Sequence, residues 1–235
     1  MAEKLYRSAS DGRGPAGERC LGGFLVRKYC WVPSARAWLV MLMIAALAAW
    51  GVFWQLAPFL AITERVPSEV LVFEGWCPPS LCKQTAAEFQ GGHYKHLLLL
   101  RPVLNVPDRF ESGRYSADYM ANLLLQDGVP KSELTVLTPF VAKKDRTYHS
   151  ALDAKQWLEK NRIPAQSIDV ATDGPHARRS RLLYQKAFGI QVKVGIIAMQ
   201  DPMFDTTNWW HGSEGVREVV GEAIAYGYSR FLFYP

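Results

Sequence analysis

The order of apolar and polar residues divides the chain into two kinds of segment. From Ala37 to Trp54 every residue is apolar or glycine, Gln55 interrupts, and the run resumes from Leu56 to Ile62, so residues 38–62 contain no Asp, Glu, Lys or Arg. As a helix rising about 1.5 Å per residue, this run is long enough to cross a hydrocarbon core of roughly 30 Å. Its length argues against a buried helix of a soluble domain. A cleaved signal peptide is disfavoured too, because its apolar region covers about 7–15 residues near the start, and no A-x-A site follows the run. The expectation is an uncleaved transmembrane anchor over 38–62.

Beyond Thr63 the pattern changes to short apolar runs alternating with amphipathic stretches. Strands are predicted at 69–73, 96–100, 134–137, 168–171 and 192–198, most of them continuous apolar runs, as strands buried on both faces read. Helices are predicted at 80–90, 115–126, 147–159, 177–188 and 213–233. Gly91-Gly92, Asp127-Gly128-Val129-Pro130, Asn161-Arg162-Ile163-Pro164 and Gly189 punctuate the helix ends. Repeated βα units imply an α/β fold: a Rossmann-like open parallel sheet with helices on both faces, preceded by one transmembrane helix. The domain plan is a basic tail at 1–37, the anchor at 38–62 and the α/β domain at 63–235.

Charge orients this plan. The formal net charge of the 235 residues is +5, too small a bias for a nucleic-acid protein. Most of the excess lies in residues 1–37, which carry seven basic residues against three acidic ones. The positive-inside rule then keeps the N-terminus in the cytoplasm and places the α/β domain outside a cytoplasmic (inner) membrane, periplasmic or otherwise extracytoplasmic. On that side lie Cys77 and Cys82, whose spacing fits neither a C-x-x-C redox pair nor half of a zinc site, and leaves a local disulfide or two free thiols open.

In open α/β sheets ligands bind outside the carboxyl ends of the strands. Three loops there carry chemistry: Glu74-Gly75-Trp76 after the first strand, Lys143-Lys144-Asp145-Arg146-Thr147 after the third, and Asp173-Gly174-Pro175-His176-Ala177-Arg178-Arg179-Ser180-Arg181 after the fourth. The two basic clusters sit at helix N-termini, where unpaired N–H groups already favour an anion. Arg146 and Arg179 offer planar forks suited to phosphate or carboxylate, and His176 is the candidate acid or base if a reaction occurs. Asp201, Asp205, His211 and Glu214 could supply ligands to a divalent ion, but their spacing has no metal signature, and no metal is expected. Trp209 and Trp210 could stack on a sugar, meet a membrane surface, or close the core over the last helix. Neither a Gly-x-Gly-x-x-Gly nor a Walker A loop is present, so standard nucleotide cradles are not supported.

A single anchor followed by Val-Leu-Val-Phe-Glu-Gly-Trp (70–76), Arg-Thr-Tyr-His-Ser-Ala (146–151) and Val-Ala-Thr-Asp-Gly-Pro-His-Ala-Arg-Arg-Ser-Arg (170–181) resembles the motif blocks of the YdcF-like family, a domain of unknown function. The resemblance covers roughly residues 66–230. It implies a Rossmann-like domain with a role in bacterial envelope biogenesis in several members and adenosylmethionine binding in another. Carried onto this chain, the candidate pocket is Glu74, Gly75, Arg146, Thr147, His176 and Arg179, and Gly174 in the turn before His176 is a further candidate ligand-binding residue. The chain departs from the family in having Glu-Gly-Trp for a Gly-rich first loop, and His149-Ser150-Ala151 where many members have Glu-Asn-Ala.

Pattern, charge and resemblance together point to a membrane-anchored, envelope-facing domain that binds an anionic small molecule or a lipid-linked saccharide phosphate, without nucleic acid. The rival expectations are a nucleotide or S-adenosylmethionine binding protein and a non-enzymatic envelope interaction module.

Overall fold

The computed structural model describes residues 19–20, 25–26, 33–100, 117–138, 144–202 and 205–235. Most of the basic tail, the first two residues of the helix expected at 115–126, Lys143 and Met203-Phe204 lie outside the described residues. Two compact units divide between Trp50 and Gly51. The first contains a two-residue antiparallel ladder, Arg19–Cys20 against Leu25–Val26, and the start of helix α1 (Ala35–Leu60). That helix is long and apolar enough to cross a membrane, with a mean hydropathy of 2.0 over its best window. Residues 38–52 are all exposed, an arrangement that water does not favour for Trp, Leu, Met and Ile side chains.

The second unit is an α/β domain. Its strands are β1 (Val70–Glu74), β2 (His96–Leu100), β3 (Leu134–Leu137), β4 (Ser167–Asp173) and β5 (Lys193–Met199). Helices α2 (Ser80–Gly91), α3 (Ala117–Gln126), α4 (Arg146–Lys160) and α5 (Ala177–Phe188) connect them, and α6 (Ser213–Phe231) comes last. The sheet runs β3-β2-β1-β4-β5, all parallel, with Val72 beside Leu98 on one side and Val170 on the other. Strand order therefore reverses between β1 and β4, the place where doubly wound folds open a crevice.

Alternation along each strand explains why both sheet faces are covered. Leu71, Phe73, Leu97 and Leu99 point to one side and pack with Leu81, Phe89, Met120 and Leu124 of α2 and α3. Val70, Val72, Leu98 and Leu100 point to the other, against Ala151, Ala154, Leu158, Tyr184 and Phe188 of α4 and α5. A period-2 chain with apolar residues at every position needs helices on both sides, which is the predicted architecture.

The boundary of the domain is the main departure from the pattern of the sequence. The last ten residues of α1 belong to the domain, with Ala57 and Leu60 fully buried against Trp209 and Val219 and ringed by Phe53, Leu56, Trp210, Ala223 and Tyr226. Glu64 then pairs antiparallel with Ile196 on the outer edge of β5, exchanging N–H···O bonds of 2.7 and 2.9 Å. Arg178 donates to the Phe59 carbonyl and lies 4.0 Å over its ring. Arg181 pairs with Glu64 at 2.6 Å. The apolar run could not reveal this, because a lipid-facing turn and a domain-facing turn use the same residue types. Trp209, 4% exposed, sits 4.9 Å from the Phe53 ring, while Trp210 lies 4.5 Å from that of Trp54. Of the three roles open to these tryptophans, closing the core is the one seen.

Candidate functional site

The carboxyl ends of β1 and β4 build the site. Asp173 ends β4 and caps a 3₁₀ turn (Gly174–His176), its Oδ1 accepting from the Gly174 N–H at 2.8 Å. Pro175 pre-sets the first turn, and α5 continues directly from it. This geometry places His176 and Arg179 on successive turns facing α6. Glu74, at the end of β1, is buried beneath them, its Oε2 accepting from the Ser180 hydroxyl at 2.8 Å and its Oε1 without a hydrogen-bond partner among the described residues. Burial pushes the Glu74 carboxyl above the ordinary range, against the pull of the Thr172 and Ser180 hydroxyls and of the Arg179 and His176 charges.

Two acids of α6 complete the cluster. Glu222 accepts Arg179 in a fork, Nε to Oε2 at 2.6 Å and Nη2 to Oε1 at 3.0 Å. His176 Nδ1 lies 2.9 Å from the same Glu222 Oε1, and its Nε2 lies 2.6 Å from Glu218 Oε1. Desolvation alone would lower the imidazole pKa, but the hydrogen bonds to Glu218 and Glu222 outweigh it and raise it to about 9. Desolvation would raise Glu222, and the same partners, His176 and Arg179, instead hold it at about 2. The centre is thus a chain of acid–base partners, Arg179–Glu222–His176–Glu218, in which Arg179 Nη2 also lies 2.9 Å from His176 Nδ1, covered edge-on by Trp76 with ring centroids 4.3 Å apart. The two carboxylates favour the protonated form of His176, and in that form it can serve as a proton donor.

The seven residues expected at the site separate into two groups. Glu74, Gly174, His176 and Arg179 gather in or beneath the cluster, and Thr147 joins through its Oγ1, which accepts from Arg179 Nη1 at 3.3 Å. Gly75 extends the sheet by donating to the Leu100 carbonyl at 2.8 Å. Arg146 stands apart: it is exposed and has no ion-pair or hydrogen-bond partner among the described residues. Of the basic run 178–181, Arg178 holds the last turn of α1 at Phe59, Arg181 pairs with Glu64 beyond it, and Arg179 is spent on Glu222. Glu218 and Glu222 escaped sequence reasoning. The available signal was an acid pair at i, i+4 on a helix otherwise rich in apolar residues, a spacing that places both on one face.

The two helix starts differ as well. The turn leading into α5 is capped by Asp173. At α4, Asp145 occupies the cap position in the left-handed region, φ 53°, with no side-chain hydrogen bond to the helix. The N–H groups of Arg146, Thr147 and Tyr148 have no partner among the described residues, and a helix N-terminus favours an anion.

Glu218 and Asp173 continue into a cavity of about 440 Å³ that Asp201, Asp205, Asn208, Trp209 and Glu214 also line. Among the described residues, no group of three or more His, Cys, Asp or Glu is placed to hold a metal ion. Asp173 is buried beside Glu218 and Asp201, and desolvation raises its carboxyl to about 6. A carboxyl whose folded pKa lies above its unfolded value favours the folded state at low pH and loses that contribution as pH rises through about 6. Asp173→Asn, which keeps the acceptor for Gly174, is therefore expected to stabilise the protein at pH 8 by on the order of 2 kcal/mol, with little effect at pH 4. Thermal unfolding at the two pH values tests this. Cys77 and Cys82 are both buried free thiols, Cys77 beside Thr172 Oγ1 at 3.9 Å and Cys82 beside Met120 Sδ at 3.7 Å, so the local disulfide is not formed.

Compared with protein-family models and with curated proteins, the chain matches none.

Proposed function

We propose that the domain binds an anionic, phosphorylated ligand of the cell envelope at the carboxyl edge of its sheet, in the manner the YdcF-like resemblance implies. The supporting observation is the first turn of α4. It combines three N–H groups that have no partner among the described residues with the exposed guanidinium of Arg146, next to a Thr147 hydroxyl held by Arg179. Together these give a helix dipole, backbone donors and one available cation at a single point. The acid-lined cavity that begins at Asp173 and Glu218 accepts hydroxyl donors, and its 440 Å³ is the scale of a small-ligand pocket. Phosphate at α4 and saccharide hydroxyls toward Asp201, Asp205 and Glu214 is the arrangement that uses both. Arg179, neutralised by Glu222, acts in this reading as a positioning residue for Thr147.

The same reading takes α1 as a membrane anchor with its basic N-terminal flank in the cytoplasm and the domain outside. A ligand carried on a lipid then reaches the site without leaving the membrane surface. The test is thermal unfolding of the full chain in nanodiscs with a polyprenyl phosphate, a nucleotide sugar, adenosylmethionine and inorganic phosphate as separate probes. A bound probe at a hundred times its dissociation constant adds about 2.7 kcal/mol. The shift is expected with a phosphorylated probe and is expected to vanish in Arg146→Ala, whose own unfolding is unchanged. A shift with adenosylmethionine alone, or an Arg146→Ala protein that still responds to phosphate, would refute the assignment.

A further inference from the structure

Helix α6 is amphipathic in the reverse sense from a surface helix. Its acids Glu218 and Glu222 turn inward onto His176 and Arg179. Its outward residues Val216, Val220, Ile224, Tyr228 and Phe231 are exposed, Ile224 and Phe231 each at 70%. At 3.6 residues per turn these positions form one stripe along the length of the helix, opposite Val219, Glu222 and Ser229. The chain then leaves the helix with Leu232 and Tyr234 exposed. Single exposed apolar side chains need no explanation, but a continuous stripe of this length marks a contact surface.

Its surroundings indicate what it contacts. The flank of α6 is packed on the last turns of α1 through Val219 and Ala223 against Ala57 and Leu60, and through Tyr226 against the Phe59 ring at 5.6 Å. Those turns are the direct continuation of the exposed apolar run 38–52. The stripe itself carries the signature of a bilayer interface. Aliphatic residues occupy its middle, Tyr228, Phe231 and Tyr234 its carboxyl end, and the exposed cations Arg217 and Arg230 are spaced to reach anionic headgroups.

We infer that the outward face of α6 lies in the headgroup region of the bilayer that α1 enters, making α6 an interfacial helix. This rests on the reading of α1 as a membrane span. The inward face of the same helix holds the His176–Arg179 cluster, so the site stands one helix diameter, about 10 Å, from the lipid surface.

The experiment is photo-crosslinking of the full chain in vesicles of phosphatidylcholine and phosphatidylglycerol. A benzophenone side chain replaces, one at a time, Ile44 in the middle of α1, Val220, Ile224 or Phe231 on the stripe, and Lys160 at the far end of α4. Lipid adducts are expected at Ile44 and at all three stripe positions, with Lys160 at background. Adding Ile224→Glu is expected to remove the adduct at Phe231 while leaving that at Ile44. Adducts at Ile44 without any on the stripe overturn the inference and leave the anchor standing. Protein–protein adducts on the stripe overturn it in favour of a second copy. Absence of lipid adducts at Ile44 and the stripe overturns both the anchor and the inference.

Discussion

Glu222→Gln is expected to destabilise the protein by about 3–5 kcal/mol, the cost of leaving buried charge without its partner. The carboxylate is 7% exposed and is shared by Arg179, in a fork of 2.6 and 3.0 Å, and by His176 at 2.9 Å. Glutamine retains the shape and one acceptor but strands two adjacent cations. The pH dependence gives a second readout. Glu222, lowered from 4.5 to about 2, contributes stability that is complete above about pH 4.5 and disappears as pH falls through 2. His176, raised from 6.5 to about 9, contributes stability that is complete below pH 6.5 and lost as pH rises through 9. Both contributions are therefore whole between about pH 4.5 and 6.5. Unfolding of the full chain in detergent should show the largest gap between wild type and Glu222→Gln in that window, narrowing on either side. A loss of under about 1 kcal/mol at pH 6, the scale of a solvated ion pair, would mean that water already solvates the cluster.

Gly195→Ala is the second large effect, at about 3 kcal/mol, and it acts on the opposite edge of the sheet. A Cβ at Gly195 would lie 1.8 Å from Asp169 Oδ1 and 2.9 Å from both the Glu64 carbonyl and the Val66 nitrogen. Asp169 is 1% exposed and accepts from the Val66 N–H at 3.0 Å and the Tyr94 hydroxyl at 2.8 Å. One methyl group must therefore move a buried carboxylate off two donors or lift residues 64–66 from β5, and either route combines overpacking with lost hydrogen bonds. Accelerated hydrogen exchange at the Ile196 amide, which donates to Glu64, would show that the segment lifts. Gly174→Ala is the matched control: its Cβ would meet nothing closer than 3.5 Å, and a change within about 0.5 kcal/mol is expected.

The five strands were legible because most are compact apolar runs, as strands buried on both faces read, although β3 at the sheet edge is only partly buried. The expected 168–171 proved to be Ser167–Asp173, extended by polar residues whose pairing, not hydrophobicity, makes them strand. Helix ends followed the glycine and proline punctuation closely, as at Gly189 after α5. The site was legible by half. Sheet topology places the loops after β1 and β4 together, so Glu74, His176 and Arg179 could be anticipated as neighbours. That Arg179 is neutralised could not, because Glu222 lies 43 residues further on and pairing across that distance depends on how α6 packs. Arg178 and Arg181 read as helix-start cations for the same reason, although their partners are Phe59 and Glu64, before the sheet begins. Local sequence shows which groups are charged; tertiary packing decides which charges remain available.

The pairing of Glu64 with Ile196 bears on the fate of the domain if it is ever cut loose. An exposed outer strand is a template for intermolecular addition, and proteins guard such strands with a short covering segment. Here the cover is the stretch that leads out of α1, and Thr63 extends it by accepting the Ala198 N–H at 3.0 Å. Proteolysis on the amino side of Thr63 would release a fragment with that guard in place, although without Ala57 and Leu60 in its core. Proteolysis after Val66 would strip the guard and bare the edge of β5. Shedding at these two places, only a few residues apart, would thus yield one product with a covered edge and one prone to assemble into aggregates.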